Sequence, residues 1–267
     1  MKLKLCDAKT LDIVKTFECG QCFRWNANDK GVYTGVVGRY LAEVETVDNE
    51  VYMTSDAPAE MWADYFDLAT DYAAVSADFT GEYLHECIDY GMGIRILRQD
   101  SWEALCSFII SQCNNIARIK GIVERLCEQF GDKCEANGVG YYTFPTAERL
   151  AALRPSDLAG IRSGYRAEYI IAAARAVTTG ELDLDALKTC DYREAIKTLR
   201  QIRGVGEKVA NCVVLFGLYH MEAFPIDVWM KRALKEHFPA DFDPTSLGAY
   251  AGLAQQYIFY YSRSGGK

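Results

Sequence analysis

The sequence predicts an α+β fold: a small N-terminal antiparallel β-sheet domain packed on a larger all-helical domain that contains a helix-hairpin-helix turn. Three observations predict it. Apolar and polar residues alternate through residues 32–54, the period of half-buried strands. From Pro58 the apolar spacing becomes helical, and from about residue 98 one amphipathic pattern follows another. Gly204-Val205-Gly206 then separates two such patterns, leaving room only for a tight turn.

The elements follow in order. Strands are predicted at 32–37, 40–46 and 50–54, the first two joined by Gly38-Arg39. Cys19-Gly20-Gln21-Cys22-Phe23-Arg24-Trp25 reads as a turn with two buried aromatics. Met61, Trp62, Tyr65 and Phe66 form a helical stripe, and Leu84, Cys87 and Ile88 suggest another. The domain boundary falls within 80–98 and is placed at residue 97, giving domains of 1–97 and 98–267. Helices are predicted at 102–110, 116–130, 165–177, 192–202, 207–218, 226–238 and 249–262. One more starts at Pro145-Thr146 with its own cap. There is no internal repeat.

Composition bounds the function. A chain of 267 residues, half hydrophobic and a quarter charged, is large enough for one or two domains with a real core. No apolar run approaches the roughly twenty residues that span a bilayer. The N-terminus lacks a signal-peptide core. An intracellular protein of a prokaryotic cytoplasm, acting as a monomer away from membranes, is therefore expected. Of the ten cysteines only Cys19 and Cys22 have metal-type spacing, and no second pair completes a zinc set. No cysteine follows Cys212, so no C-terminal iron–sulfur loop is expected. The thiols should be reduced and packed as small hydrophobes. The net charge of −8 argues against a nucleic-acid partner. A local site can still be positive, and Arg200, Arg203, Lys208, Lys231, Arg232 and Lys235 gather around the hairpin.

The hairpin carries the chemistry. A tight turn into a helix leaves the N–H groups of Val205, Gly206 and Glu207 without intrahelical partners. The helix dipole adds positive charge, making a phosphate-sized anion site. Lys208 lies one step inside that helix, where a cation meets the wrong end of the dipole; this favours the free amine that a nucleophile needs. Asp227 follows nineteen residues later (227 − 208). It has an ordinary reading as an N-cap after Pro225, and capping would fix the carboxylate in place. Gly-x-Gly alone would be only a turn, and most lysines are solvated. The lysine–aspartate pair beside the hairpin raises the functional reading above these. Elsewhere Asn115 could cap a helix bearing Arg118, Tyr165 could pack, and Gln255 and Phe259 share a helix face.

The segment Gly204-Val205-Gly206-Glu207-Lys208-Val209-Ala210 with Asp227 resembles the helix-hairpin-helix glycosylases. The wider set resembles 8-oxoguanine DNA glycosylases of the eukaryotic type. The matching segments are Gly20-Gln21-Cys22-Phe23-Arg24-Trp25, Leu97-Arg98-Gln99-Asp100, Asn114-Asn115-Ile116-Ala117-Arg118, Gly164-Tyr165-Arg166-Ala167 and Tyr250-Ala251-Gly252-Leu253-Ala254-Gln255. They fall in family order and cover nearly the whole chain.

The resemblance implies roles. Lys208 would attack C1′ of the damaged nucleoside and carry a Schiff base, and Asp227 would stabilise the oxocarbenium charge. The Gly20 carbonyl would accept the N7–H that only the oxidised base carries. Cys212 and Phe259 would sandwich the flipped base, and Gln255 would bond its Watson–Crick edge. Asn114, Arg118 and Arg166 would contact the estranged cytosine while Tyr165 wedges into the duplex. Val205 and Gly206 would hold phosphate through their amides. The partner implied is double-stranded DNA containing 8-oxoguanine, preferably opposite cytosine. A structural monovalent cation at the hairpin is implied, with no other cofactor. Three positions depart from the pattern: Cys113 replaces an asparagine, Trp229 a histidine near the phosphate, and Arg203 a proline. Two alternatives remain. A glycosylase for another damaged purine would not need Lys208, and a non-catalytic DNA-binding module would need neither Lys208 nor Asp227.

Overall fold

The computed structural model describes residues 2–265. Five strands form one antiparallel sheet: β1 (Lys2–Asp7), β2 (Trp25–Ala27), β3 (Tyr33–Val37), β4 (Tyr40–Val47) and β5 (Glu50–Ser55), in the order β1-β5-β4-β3-β2. The central three are those the alternation predicts. β1 and β2 were not anticipated. β1 exposes Lys2 and Lys4 and half-buries Leu3 and Leu5, with a bulge against β5 between Lys4 and Cys6. Lysines and a bulge are how natural sheets blunt an edge. β2 is only three residues long. It pairs Trp25 with Gly35, where any Cβ would lie 2.3 Å from the indole. The missing side chain makes room for Trp25.

Among the described residues thirteen α-helices accompany the sheet: α1 (Ile13–Glu18), α2 (Ala59–Tyr65), α3 (Tyr72–Ala77), α4 (Glu82–Gly91), α5 (Ser101–Ser111), α6 (Ile116–Phe130), α7 (Ala147–Ala151), α8 (Arg166–Thr179), α9 (Leu184–Leu187), α10 (Tyr192–Leu199), α11 (Glu207–Phe216), α12 (Val228–His237) and α13 (Ala251–Ser264). The helical run is interrupted by a hairpin of β6 (Lys133–Ala136) and β7 (Val139–Tyr142). Its turn residues Asn137 and Gly138 both have positive φ, as a two-residue hairpin turn requires. That Asn-Gly pair was a legible signal, and the helical reading of its surroundings masked it.

Two cores result. The sheet core gathers Leu11, Phe17, Trp25, Val44, Met53, Trp62 and Phe66, with Phe17 stacked on Trp25 at 4.3 Å. The helical core takes in Leu105, Ile109, Ile122, Ile170, Val213 and Leu253, and also Leu84, Cys87 and Ile88 of α4. The cores meet where Ile94 and Ile96 face the helices and Leu97 faces the sheet. Burying these side chains in place of water supplies the main stabilisation, of order 1.5–3 kcal/mol for each large one.

The junction fixes one loop with care. Gln21 is fully buried, and its amide donates to the carbonyls of Thr16 (3.0 Å) and Arg95 (2.7 Å) while Oε1 accepts from Leu97 N (2.9 Å). Gln99 donates to the Gln21 carbonyl at 2.9 Å, and Gln256 to the Cys19 carbonyl at 2.7 Å. Buried amides bonded on all sides resist displacement because each broken bond leaves an unsolvated polar group. Gly20 is thus held between strongly anchored neighbours.

Six of the ten cysteines follow the packing expectation, Cys19, Cys22, Cys87, Cys106, Cys127 and Cys212 being buried and free, whereas Cys6, Cys134 and Cys190 are half-buried and Cys113 is exposed. Cys19 donates its thiol to the Thr16 carbonyl, and burial pushes it up to about 11, so it stays protonated. Among the described residues no group of three His, Cys, Asp or Glu side chains could hold a metal, and no helix is long and apolar enough to cross a membrane.

Candidate active site at the helix-hairpin-helix turn

Helices α10 and α11 enclose the predicted hairpin. Gly204 has φ +87°, and a Cβ there would lie 2.2 Å from the Tyr169 ring, so the position excludes every side chain. Gly206 differs: it caps α11 in extended backbone, and a Cβ would meet only open space. The free amides begin one residue later than the sequence suggested. Val205 is buried and its N–H donates to the Ile202 carbonyl at 3.0 Å, closing the turn. Its part is packing rather than amide donation. The first helical bond runs from Ala210 N to Gly206 O. The amides of Gly206, Glu207 and Lys208 therefore have no partner among the described residues, an arrangement suited to an anion.

Lys208 sits half-buried on the first turn of α11. Its Nζ lies 3.4 Å from Ser111 Oγ and 5.6 Å above the Phe108 ring. Asp227 caps α12, with Oδ1 accepting from the amides of Trp229 and Met230 at 2.9 Å each. The capping and functional readings of this carboxylate coexist, since Oδ2 has no partner among the described residues. Cys212 joins the two. Burial raises its thiol; the Lys208 charge and a hydrogen bond from Lys208 pull it down, and Asp227 pushes it up again. Lysine, thiol and carboxylate therefore converge. No ion pair joins Lys208 to Asp227 among the described residues, so the amine is not tied up by its neighbour.

A second set of residues, remote from one another in sequence, meets where the Gly20 loop packs on α13. Gly20 has φ +82°, and a Cβ on it would sit 3.4 Å from Phe259 Cε1. Its carbonyl accepts no hydrogen bond among the described residues. Gln255, one turn before Phe259 on α13, is 4% exposed, and its Oε1 is buried without a partner among the described residues. An unpaired buried acceptor costs about 1–3 kcal/mol, so it awaits a donor from outside the chain.

The predicted duplex contacts lie at two helix N-termini. Asn115 caps α6 by accepting from Arg118 N at 2.9 Å, leaving the Arg118 side chain exposed. Asn114 is partly spent on its own loop, donating to the Ile110 carbonyl at 3.2 Å. Tyr165 precedes α8, is 53% exposed, and meets Tyr169 edge-on at 5.6 Å. Arg166 is buried: it donates to the carbonyls of Gln112 (3.0 Å), Ser163 (3.2 Å) and Cys113 (3.3 Å) beneath the Tyr165 ring. In this structure Arg166 ties the Cys113 loop to α8. Tyr169 in turn backs Gly204, so wedge and hairpin share a support.

Three of the six cations around the hairpin are balanced by a carboxylate. Arg200 pairs with Glu207 at 2.6 Å, Arg203 with Glu168 at 2.7 Å, and Arg232 with Glu236 at 3.0 Å. Anion binding there rests on aimed amides more than on a basic surface. Sequence reasoning missed Ser111, Phe108 and Arg263, which reach the site from α5 and α13. Nothing in their local sequence marks them; only the fold brings them in.

Comparison with known proteins places these features. Residues 106–252 match the model of the HhH-GPD superfamily of base excision DNA repair proteins, and residues 4–105 match the 8-oxoguanine DNA glycosylase N-terminal domain. The chain belongs to the HhH-GPD superfamily. This HhH-GPD protein is 29% identical to an N-glycosylase/DNA lyase of Arabidopsis thaliana over 93% of its own length and 76% of the relative's. It is 34% identical to a DNA-3-methyladenine glycosylase of Bacillus subtilis over 71% of its length and 68% of the relative's. The 8-oxoguanine glycosylase/lyase of Clostridium acetobutylicum, solved with double-stranded DNA containing cytosine opposite 8-oxoG, superposes with a TM-score of 0.90 at 34% identity. The match covers 100% of this chain and 99% of that one.

Proposed function

We propose that this chain is a bifunctional DNA glycosylase and abasic-site lyase that excises 8-oxoguanine, preferably opposite cytosine. The observation that carries it is the convergence on Cys212 of the Lys208 amine, which has no ion pair among the described residues, and the capped Asp227 carboxylate. Glycosidic cleavage develops positive charge on the sugar, which a fixed carboxylate stabilises. The Lys208 amine forms its bond to C1′ as the C1′–N9 bond breaks, and the base leaves with a proton. Breaking of the C1′–O4′ bond opens the sugar ring to the Schiff base, which acidifies C2′; as a base removes the C2′ proton the C2′–C3′ double bond forms, the C3′–O bond breaks and the 3′ phosphate leaves.

Recognition of the base falls to the pocket of Gly20, Gln255 and Phe259, closed on the other face by Cys212. A carbonyl at Gly20 accepts from N7–H of the oxidised base and repels the N7 lone pair of guanine. Tyr165 serves as wedge, with Asn114, Arg118 and Arg166 near the estranged base. The Arg203 and Val205 carbonyls lack hydrogen bonds among the described residues, which suits a monovalent cation supplying charge beside a phosphate. We further propose a cytoplasmic monomer that needs no other cofactor.

The test is single-turnover release of base, then strand cleavage, from duplexes with 8-oxoguanine opposite each of the four bases. Fastest release opposite cytosine, with cleavage of the same strand, supports the reading; equal rates refute the preference. The similarity to a DNA-3-methyladenine glycosylase favours alkylated purine as the second reading. Release of 3-methyladenine without strand cleavage, and none of 8-oxoguanine, would establish it instead.

A further inference from the structure

Arg263 stands one helical turn beyond Phe259 on α13, so the two share a face. Its Nη2 donates to the Glu18 carbonyl, and the guanidinium carbon lies 5.6 Å from the Phe259 ring centre. Its Nη1 lies 3.6 Å from the point where a side chain on Gly20 would begin. That nitrogen is buried and has no hydrogen-bond partner among the described residues. A buried N–H of a charged group is expensive to leave unpaired, so the fold holds it for an acceptor that arrives from outside.

The neighbouring Gly20 carbonyl is an acceptor lacking a donor. Gly20 and Arg263 Nη1 thus bring an acceptor and a donor, both without partners among the described residues, close together beside Phe259. The five-membered-ring edge of 8-oxoguanine offers the inverse order, N7–H beside the C8 carbonyl. Guanine offers an N7 lone pair beside a C8–H and matches neither. We propose that Arg263 Nη1 donates to the C8 oxygen of the flipped base, making Arg263 a specificity-determining residue. This rests on the function proposed above. The bond to the Glu18 carbonyl holds the guanidinium in advance, so little side-chain freedom is lost on binding.

The experiment measures equilibrium binding of Lys208→Gln protein, with and without Arg263→Leu or Arg263→Lys. The duplexes carry 8-oxoguanine, 8-oxoadenine, guanine or a tetrahydrofuran abasic analogue opposite cytosine. Loss of a hydrogen bond from a charged donor predicts that Arg263→Leu weakens binding of both 8-oxo bases about ten- to a hundredfold. Guanine and the abasic analogue should bind unchanged, and Arg263→Lys should recover part of the loss. Equal loss on all four duplexes would mean a merely structural role and overturn the proposal, as would no loss at all. Loss on 8-oxoguanine but not 8-oxoadenine would move the contact to O6 and also overturn it. Excision of 8-oxoguanine by the unsubstituted protein is followed in parallel. Its failure would sink the functional reading, whereas the binding ratios judge Arg263 by themselves.

Discussion

The two hairpin glycines make opposite predictions. At Gly204 an alanine must adopt φ +87° and place its Cβ 2.2 Å from the Tyr169 ring. The left-handed conformation costs about 1–2 kcal/mol for a residue with a Cβ. Overpacking adds about 1–3 kcal/mol, because Tyr169 is wedged against Tyr165 and must move. Gly204→Ala should therefore lose about 2–5 kcal/mol, which in a protein of this size lowers Tm by roughly 4–20 °C. At Gly206 an alanine meets open space in extended backbone, and alanine for glycine at an N-cap costs about 1 kcal/mol. Gly206→Ala should keep its Tm within a few degrees yet bind duplex DNA more weakly, because the new methyl stands where a phosphate approaches the free amides. Thermal unfolding by circular dichroism and binding of labelled duplex by anisotropy read the two effects separately. A Gly204→Ala protein as stable as its parent would refute the steric argument. A Gly206→Ala protein with unchanged affinity would refute the phosphate site.

Two further outcomes follow from the structure. Asp227→Asn keeps an N-cap acceptor for Trp229 and Met230, so stability should change by less than about 1 kcal/mol. Excision should nonetheless fall by roughly a hundredfold or more as charge stabilisation is lost; a large drop in Tm would show that the carboxylate is chiefly structural. Away from the site, Glu103 is pushed up to about 7, mainly by burial, with Arg24 pulling it down. Its folded value lies above its unfolded one, so the stability linked to its proton is full below about pH 4.5 and is lost as pH rises through 7. Urea unfolding at pH 5 and pH 8 should show this loss in the parent and a smaller one in Glu103→Gln. Identical pH dependence in both would contradict it.

Much of this was legible in the chain. Helices with caps and clean periodicity, such as α6 behind Asn115, appear where the apolar spacing puts them. The hairpin was legible because Gly204 has no alternative under Tyr169. Strands that obey weaker signals were not: β1 hides in an N-terminal alternation, and β2 exists because Gly35 makes room for Trp25. At the site, Lys208 and Asp227 stood out because they break or exploit helix-terminal rules. The Val205 amide did not behave as a generic helix start would, since the turn itself claims it. The resemblance implied Arg166 as a contact to the estranged cytosine, whereas its fork is matched to three carbonyls of adjacent loops. Arg263 carried no local signal; its meaning comes from Glu18, Gly20 and Phe259, which only the fold assembles around it.

The central claim is that Lys208 becomes covalently attached to the sugar that loses its base. Incubation with an 8-oxoguanine:cytosine duplex in the presence of borohydride tests it directly. A reduced protein–DNA adduct should form and should disappear in Lys208→Gln while duplex binding persists. Release of 8-oxoguanine without an adduct, or an adduct that survives Lys208→Gln, would contradict it.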